Sequence, residues 1–306
     1  MLKKSIAFYA FFAALVLSAS PIAKIPATAV ISGYANVSEV INFPMIKQAL
    51  ATKPMPAGLT VEDFNGKIAV GVTFGKPASK ENMRFDVVFT TAKPVAAKFF
   101  ALLSEKALAQ GAKKTKVGGK PAVADKTARV ILVSPKEIIM QVKKGKVKFA
   151  NLKKGKNLLS KAPEVKTASG VLLVDIVTVA ANFKEALPAE AQAQIGSQKY
   201  VTGSAKLGAD GAVSLKMRAT YADAASCQNG LTAFNQQKEQ FKQNPMAAAI
   251  VEKFTAAAKD NDLIISGKFS AEEVQGLIAQ AMMMAMSMQQ QQQQKAVPAA
   301  PAPAVK

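Results

Sequence analysis

One order of strand-like and helix-like segments occurs twice in this chain and limits the folds that it can adopt. Strands are indicated where large apolar residues alternate with polar ones, and helices where they recur every three to four residues. Each unit spans roughly 130–140 residues, a length at which an internal repeat marks a duplicated domain rather than a short solenoid motif. The first unit contains, in chain order, a strand over 29–35, a helix from 36 to about 51, strands over 68–74 and 85–89, a helix over 91–110 and a strand over 128–133.

The second unit repeats this order. It contains a strand over 171–177, a helix that reaches about 195, strands over 201–207 and 213–221, a helical stretch over 223–259 that is interrupted at Asn244-Pro245, and a strand over 262–269. Each unit ends in a Ser-x-x-Glu capping box, Ser134 to Glu137 and Ser270 to Glu273, which predicts the start of a helix. Two boxes at matching positions favour duplication more strongly than either box alone.

Strand-helix-strand-strand-helix-strand is the order of the ferredoxin-like, split βαβ arrangement. We therefore expect an α+β protein of two tandem ferredoxin-like (βαββαβ-type) sandwiches, each an antiparallel sheet covered by helices on one face. The predicted organisation is a signal peptide over 1–20, a first α+β repeat over 29–145, a basic connector over 146–169, a second α+β repeat over 170–286, and a Gln-rich and Ala/Pro-rich disordered tail over 287–306.

Two segments carry a resemblance to other proteins. They are ARVILVSPKEIIMQV (128–142), which closes the first unit, and KFANLKKGKNLLSKAPEVKTASGVLLVDIV (148–177), which leads into the second. With the doubled order of elements behind a signal peptide, the chain resembles exported bacterial α+β tandem-repeat proteins of uncharacterised function. The resemblance spans about residues 29–280 as a pattern. It implies an exported α+β repeat protein and no particular activity, substrate or catalytic residue.

The N-terminus has the features of a secretory signal. Lys3 and Lys4 precede a 12-residue apolar run over 6–17, which is too short to span a bilayer. Small residues permit cleavage near Ala19, which we favour, or after Ala27-Thr28-Ala29, which lies unusually far from the apolar run. We expect a periplasmic or extracellular protein without a transmembrane span once the signal is removed. The alternative is an uncleaved signal that anchors the chain in the inner membrane, because Pro21 disfavours the nearer cut.

Positive charge is concentrated where the first unit joins the second. Between Lys113 and Lys166 the chain has 16 Lys or Arg against three acids, so this segment carries +13 of the net charge of +20. Such a cluster attracts anionic partners with an affinity that falls as salt rises. The competing interpretation is a solvated surface that keeps the protein soluble. The lysines predicted to contact a partner are Lys143, Lys144, Lys146, Lys148, Lys153, Lys154 and Lys156.

The chemistry of this segment favours partners that are recognised by charge alone. Lysine lacks the planar guanidinium with which arginine reads base edges in a bidentate way. Phe149 is the single aromatic ring in the segment, which argues against stacking on single-stranded nucleic acid. The sequence therefore predicts contact with anionic polysaccharide, with lipid headgroups, or with DNA without sequence specificity.

Composition excludes several kinds of catalytic site. The chain has no His and one Cys, which excludes Ser-His-Asp and Cys-His catalysis and intrachain disulfides. Nucleotide-binding and hydrolase motifs are absent, and the sequence indicates no cofactor and no metal ligand set. We expect a non-enzymatic structural or binding protein of the cell envelope. The alternative is an enzyme that uses Asp or Glu with Lys, for which Asp175 is a candidate because it interrupts an apolar run, although it is also placed to begin a helix.

The C-terminal part of the chain is rich in methionine and glutamine. Thioethers are soft ligands, so a Cu(I)-binding protein is a further alternative, but methionine also fills gaps in packed cores. The tail after the glutamines is expected to be disordered. The methionines are Met282, Met283, Met284, Met286 and Met288, and six glutamines follow at 289–294.

Overall fold

The computed structural model describes residues 19–52, 54–56, 58–79, 81–150, 157–183, 197–280 and 283. The strands are Ile31–Asn36 (β1), Gly66–Ser79 (β2), Asn82–Thr91 (β3), Lys113–Val117 (β4), Lys120–Ala124 (β5), Ala128–Ser134 (β6), Glu137–Lys144 (β7), Gly170–Asp175 (β8), Gln198–Leu207 (β9), Val213–Tyr221 (β10), Phe254–Lys259 (β11) and Asp262–Phe269 (β12). The helices are Ala19–Ile22 (α1), Val37–Ile41 (α2), Pro44–Ala51 (α3), Ala96–Leu108 (α4), Ile176–Phe183 (α5), Ala224–Lys242 (α6), Pro245–Val251 (α7) and 271–280 (α8). Short 3-10 turns occupy Val61–Phe64, Leu158–Lys161 and Pro163–Lys166.

The described strands form one continuous 12-stranded sheet in the order β11-β12-β10-β9-β8-β1-β2-β3-β7-β6-β5-β4. The prediction of two ferredoxin-like sandwiches was therefore wrong. The predicted units share a sheet because the first strand of each, β1 and β8, pair with each other in antiparallel register from Ile31 with Val174 to Ala35 with Gly170. Hydrophobic alternation predicts that a segment is a strand, but it does not select the strand's hydrogen-bonding partner.

The strand order is mirrored about the β1–β8 pair. Moving outward from the middle, the first half reads β1-β2-β3-β7-β6 and the second half reads β8-β9-β10-β12-β11. In both halves, three successive strands are neighbours in the sheet, and the second strand of a later hairpin, β6–β7 or β11–β12, lies beside the third. The first half extends further, through β5 and β4. Duplication stays a prediction from the sequence.

The two capping boxes have different structures. At the start of α8, the backbone N–H of Ser270 donates to Oε2 of Glu273 at 2.8 Å, and the Glu273 N–H donates to the Ser270 hydroxyl at 3.2 Å, so this box is confirmed. The helix predicted from Ser134 was wrong, because 134–137 is the turn between β6 and β7. The residues after this turn, Ile138 and Ile139, are both buried, as expected of an interior strand covered on both faces.

Strand β11 lies within a stretch that was predicted to be helical. Its Ala-rich sequence has high helix propensity, yet its residues alternate between half-buried and exposed and pair with β12 from Phe254 to Lys259. The turn to β12 passes through Asp260 at a φ of 53°, a conformation that Asp tolerates better than most residues. Pairing with β12 therefore outweighs local propensity at this edge.

Cross-strand register assigns every strand residue to one of two faces. Helix α4 covers the face of Phe89, whose ring centroid lies 5.2 Å from that of Phe99. In the second half, α6 covers the same face, where Cys227 packs with Ala219 and Leu263. We call this the helix face and the opposite side the polar face.

On the first half of the sheet, chain segments without long helices cover the polar face. Ile22 and Ile25 are fully buried there, and Ile25 lies so close to Gly71 that a Cβ at Gly71 would be 2.6 Å from its Cγ2 atom. The side-chain amide of Asn157 donates to the carbonyls of Ile22 at 2.6 Å and Ile25 at 3.1 Å. The Tyr34 hydroxyl donates to the Val165 carbonyl at 2.7 Å. Residues 21–30 and 157–166 are therefore part of the hydrophobic core.

Candidate functional site

On the second half of the sheet, three neighbouring strands carry the same short pattern on the polar face. Each has a serine and a lysine two residues apart, so both side chains point to the same side. The pairs are Ser204 and Lys206 on β9, Ser214 and Lys216 on β10, and Ser266 and Lys268 on β12. We call these six residues the serine–lysine face.

The register arranges this face as a checkerboard. Ser214 lies between Lys206 and Lys268, and in the next row Lys216 lies between Ser204 and Ser266. From standard strand spacings, the lysine Cα atoms form a triangle with sides of about 8–10 Å. No two of these lysines are directly opposite each other, a position in which like charges destabilise a sheet. The three ammonium groups nevertheless remain close enough to act on one ligand.

A cavity of about 500 Å³ opens onto the serine–lysine face. One wall is the segment from Pro163 to Ala168, which contributes Glu164 and Thr167, and the floor is formed by β9, β10 and β12. This volume lies within the range of about 300–1,000 Å³ that is usual for small-molecule sites. The cavity exists because the segment that covers the polar face stops short of the outer strands of this half.

The three lysines of the face differ in how they are paired. Lys206 lies 2.9 Å from Oε2 of Glu39, and Lys216 lies 3.5 Å from Oε1 of Glu164. Lys268 is exposed and forms no ion pair within the described part of the chain. Half-exposed lysine pairs are worth little in solvent, so their ammonium groups remain available to an incoming anion.

Glu164 connects the cavity wall to the sheet. Its carboxylate forms an ion pair with Arg218, which also approaches Oδ2 of Asp262 at 3.6 Å. Burial by itself would raise the pKa of Glu164, but the hydrogen bond from Arg218 and the charges of Arg218 and Lys216 outweigh it and hold the pKa below its ordinary value. The carboxylate is therefore ionised at neutral pH, although its side chain is only 5% exposed.

The equivalent polar face of the first half carries a closed hydrogen-bond network. Arg84 on β3 donates through Nε to Asp86 Oδ2 at 2.8 Å and through Nη2 to Thr73 at 3.2 Å. Gln141 on β7 donates to Asp86 at 2.5 Å and accepts from Arg129 on β6 at 2.6 Å. Asp86 is 1% exposed, and burial raises the pKa of its carboxyl while the charge of Arg84 opposes that effect.

A short backbone segment after β7 covers this network. Arg84 Nη1 donates to the carbonyl of Lys148, and Arg129 Nη2 donates to that of Ala150, both at 2.6 Å. The Arg129 guanidinium also lies 4.5 Å from the centroid of the Phe149 ring, a cation–π contact. The guanidinium groups here therefore bind the protein's own chain.

Four of the lysines predicted from the sequence as contact residues are described, and they lie at the end of β7 and in the segment that follows it. Lys143 lies 5.5 Å from the centre of the Phe149 ring, and Lys144 pairs with Glu81. Lys146 and Lys148 are exposed. Lys153, Lys154 and Lys156 lie outside the described residues. The described members thus follow the end of β7 and the loop after it.

Other lysines of the basic segment lie on the edge strand β4. Lys113, Lys114 and Lys116 are exposed, and β4 is paired on one side only, with β5. Charged residues on an edge strand discourage pairing with another chain. Part of the high local charge is therefore explained by the protection of this edge.

Several other candidates are resolved by their geometry. Asp175 precedes α5 and accepts from the Thr178 N–H at 3.0 Å and from its hydroxyl at 2.7 Å, as a helix cap does. Among the described methionines of the C-terminal part, Met283 is 65% exposed, and the others of that run lie outside the described residues. Across the described ranges, no group of three or more His, Cys, Asp or Glu could hold a metal ion. None of the helices in these ranges is long and apolar enough to cross a membrane.

Sequence analysis did not single out the serine–lysine face. The available signal was the pattern Ser-x-Lys on three predicted strands: Ser204-Ala-Lys206, Ser214-Leu-Lys216 and Ser266-Gly-Lys268. These residues are spread over more than 60 positions, and each pair alone is an ordinary solvent-facing set. Only the pairing of β10 with both β9 and β12 brings them together.

Comparison with known proteins gives structural neighbours but no family. No protein-family model matches the chain, and neither does any curated protein. Three solved crystal forms of TP0453 are similar in structure. Form I has a TM-score of 0.47 at 14% identity and covers 86% of this chain and 98% of that chain. Form III has a TM-score of 0.45 at 14% identity, covering 86% and 99%, and form IV has 0.44 at 12% identity, covering 85% and 97%. Similarity at this level assigns the chain neither a family nor a function.

Proposed function

We propose that this protein is a non-enzymatic binding protein of the cell envelope that is exported by its N-terminal segment and holds an anionic ligand on the serine–lysine face. The observation that carries the proposal is the triangle of Lys206, Lys216 and Lys268 beside a cavity. The export signal over 1–20 supports the location.

The residue types on this face suit charge recognition. An ammonium group is a hydrated point charge on a flexible stem and attracts carboxylate and phosphate alike. Serine hydroxyls can either donate to or accept from a bound oxygen. The face therefore offers donors to an anion without the rigid geometry that sequence-specific nucleic-acid recognition needs.

The location of this cluster distinguishes it from the segment Lys143–Lys156. The lysines of the serine–lysine face line a cavity, whereas the described members of the segment Lys143–Lys156 follow the end of β7 and the loop after it. A patch that encloses a ligand excludes more water from it and so strengthens each charge–charge contact. We accordingly place the principal anion site on the serine–lysine face.

The test is isothermal titration calorimetry of the full chain after signal removal, with tricarballylate and trigalacturonate as probes at low and high NaCl. We expect binding that weakens with salt, and a loss of at least about tenfold in the triple variant Lys206→Gln, Lys216→Gln, Lys268→Gln. The matched control is Lys143→Gln, Lys144→Gln, Lys146→Gln, which removes the same charge from the end of β7 and the loop after it.

The two variants separate the possible outcomes. Loss of binding in the control alone would overturn the assignment to the serine–lysine face and return it to the basic segment. Absence of binding to either probe by the unaltered protein at low salt would overturn the binding function itself. Subcellular fractionation of the tagged full-length chain tests export, and recovery in the cytoplasm contradicts it.

A further inference from the structure

The two edges of the 12-stranded sheet differ in charge. At one edge, β4 carries three exposed lysines, which discourage pairing with another chain. At the other edge, β11 has the sequence FTAAAK and, within the described residues, pairs on one side only, with β12. Its exposed side chains are Thr255, Ala257 and Lys259, so its one charge stands at its last position. β11 therefore lacks the protection that β4 has.

The hydrogen-bonding pattern shows which backbone groups of β11 point outward. The turn to β12 has two residues, so the N–H and C=O groups of Phe254, Ala256 and Ala258 point away from β12. The ammonium group of Lys238 on α6 donates to the Phe254 carbonyl at 2.5 Å, as expected for a carbonyl on the outer side. Ala256 and Ala258 therefore present their backbone groups to a further strand, and no described strand lies beyond them.

The charge around this edge indicates what kind of partner it fits. Residues 224–262, which contain α6, α7, β11 and the turn to β12, have four lysines and four acids, whereas the whole chain has a net charge of +20. A net charge of this size keeps copies of a protein apart. Two copies of this chain therefore approach most easily at a neutral surface, where an anionic partner finds no attraction. A second copy is the partner that this edge favours.

An exposed aromatic side chain lies beside the same edge. Phe241 is 55% exposed and is the one aromatic among the large exposed apolar side chains of the described residues. It follows Lys238 by three residues on α6, so it lies about one helical turn beyond the side chain that reaches the β11 backbone. Because α6 packs on β11 and β12, pairing of two β11 strands brings two α6 helices to about 10 Å, a usual packing distance.

We propose that two copies of this protein pair through β11 in antiparallel orientation and form one continuous sheet across a two-fold axis. The axis passes beside Ala257, so Ala256 of one copy hydrogen-bonds with Ala258 of the other. Charge selects this register. An axis at Ala256 would place Lys259 directly opposite Lys253 of the other copy, and like charges in that position destabilise a sheet. Dimer formation does not depend on the anion site.

Sedimentation velocity of the full chain after signal removal measures the association. We expect a monomer–dimer equilibrium between about 1 and 100 µM protein, as for a small interface. Salt screens the repulsion between two basic copies, so dimerisation should not weaken between about 20 and 200 mM NaCl, unlike the binding of an anion. A monomer at every concentration, or a dimer that dissociates as salt rises, would overturn the proposal.

Substitutions at exposed positions test the location of the contact. Ala257→Lys places two lysines opposite each other at the axis and should weaken dimerisation about fivefold, whereas Thr115→Lys adds the same charge to β4 and should leave it unchanged. Phe241→Ser should weaken dimerisation at least about tenfold, and Val177→Ser is its control because Val177 is 57% exposed on α5. Variants that dimerise as well as their controls would overturn the assignment to this edge.

Disulfide cross-linking tests the register. In Ala257→Cys the two introduced thiols lie opposite each other, where Cα atoms are about 4.5 Å apart, so mild oxidation should give a covalent dimer. Thr255→Cys is the control, because its two copies lie about 13 Å apart along the strands. The native Cys227 is fully buried and does not compete. Cross-linking of Thr255→Cys in place of Ala257→Cys would overturn the register, and far-UV circular dichroism checks that each variant is folded.

Discussion

The two halves of the sheet place polar residues on the same face but use them differently. In the first half, Arg84, Asp86 and Gln141 hydrogen-bond to one another beneath a covering segment. In the second half, serines and lysines occupy the corresponding strands β9, β10 and β12 and open onto a cavity. The same order of strands thus supports one closed polar face and one open polar face.

Coverage by other chain segments, rather than strand topology, separates the polar groups that serve the fold from those available to a ligand. Residues 21–30, 146–150 and 157–166 lie over the middle and the first half of the polar face. Beneath them, Asp86 accepts hydrogen bonds from Arg84 and Gln141, as buried carboxylates usually do. Where the cover ends, at Glu164 and Thr167, lysines remain hydrated and can meet a ligand.

The largest expected effect is in the closed network. Asp86→Ala leaves Arg84 buried without its counter-charge, so we expect the free energy of unfolding to fall by about 3–5 kcal/mol. Urea unfolding followed by circular dichroism measures it. Lys268→Gln on the open face is the control and should change stability by less than about 0.5 kcal/mol.

A double variant sharpens this test. Arg84→Met with Asp86→Leu removes both charges and should be more stable than Asp86→Ala alone. If Asp86→Ala lowers the free energy of unfolding by less than about 1 kcal/mol, the network does not hold the closed face together.

The cover itself is tested next. Ile25→Ala removes a fully buried side chain from its contact with Gly71, and we expect a loss of about 3 kcal/mol in unfolding free energy. The control is Val177→Ala, since Val177 is 57% exposed.

By the same argument, cleavage after Ala29 would remove this cover, so mass spectrometry of exported protein should find a cut before Pro21. A mature chain that begins after Ala29 would contradict this role of the cover.

A smaller effect is expected where the covering segment is held by arginine. Arg129→Gln removes the hydrogen bond to the Ala150 carbonyl and the contact with Phe149, at a cost of about 1–2 kcal/mol. Hydrogen exchange should accelerate locally in 147–150. Faster exchange spread evenly over the sheet would instead indicate a global effect, and unchanged exchange would show that Arg129 does not fix the segment.

The smallest effect is a pH dependence at the boundary of the open face. The folded pKa of Glu164 lies below its ordinary value of 4.5, so its ion pair contributes stability above about pH 4.5 that is lost as pH falls through the folded value. At neutral pH we expect the free energy of unfolding of the unaltered protein to exceed that of Glu164→Gln by about 1 kcal/mol. This difference should disappear in acid. Unfolding curves at several pH values measure this gap. A gap that widens in acid would contradict the lowered pKa.

Several elements were predictable because their signals are local. Strands β2, β3, β9, β10 and β12 follow from alternating apolar residues, and the start of α8 follows from its capping box. Strand β7 was predicted as a helix, because a short apolar run after Ser-Pro-Lys-Glu is compatible with either state. The sequence-based prediction missed the candidate site for a related reason. It relied on local charge density, whereas the site depends on residues from three separate strands.

The pattern of alternating residues, the dense local charge and the lack of histidine, which excludes several catalytic chemistries, are all visible in the amino-acid sequence. The pairing of β1 with β8, the cover of residues 21–30 over one half of the polar face, and the shared surface of the Ser-x-Lys pairs on β9, β10 and β12 arise only in the folded chain. The physical reason is the distance along the chain over which each interaction acts. Side-chain alternation and helix caps act between residues a few positions apart, whereas strand pairing and burial depend on contacts between residues far apart in the chain.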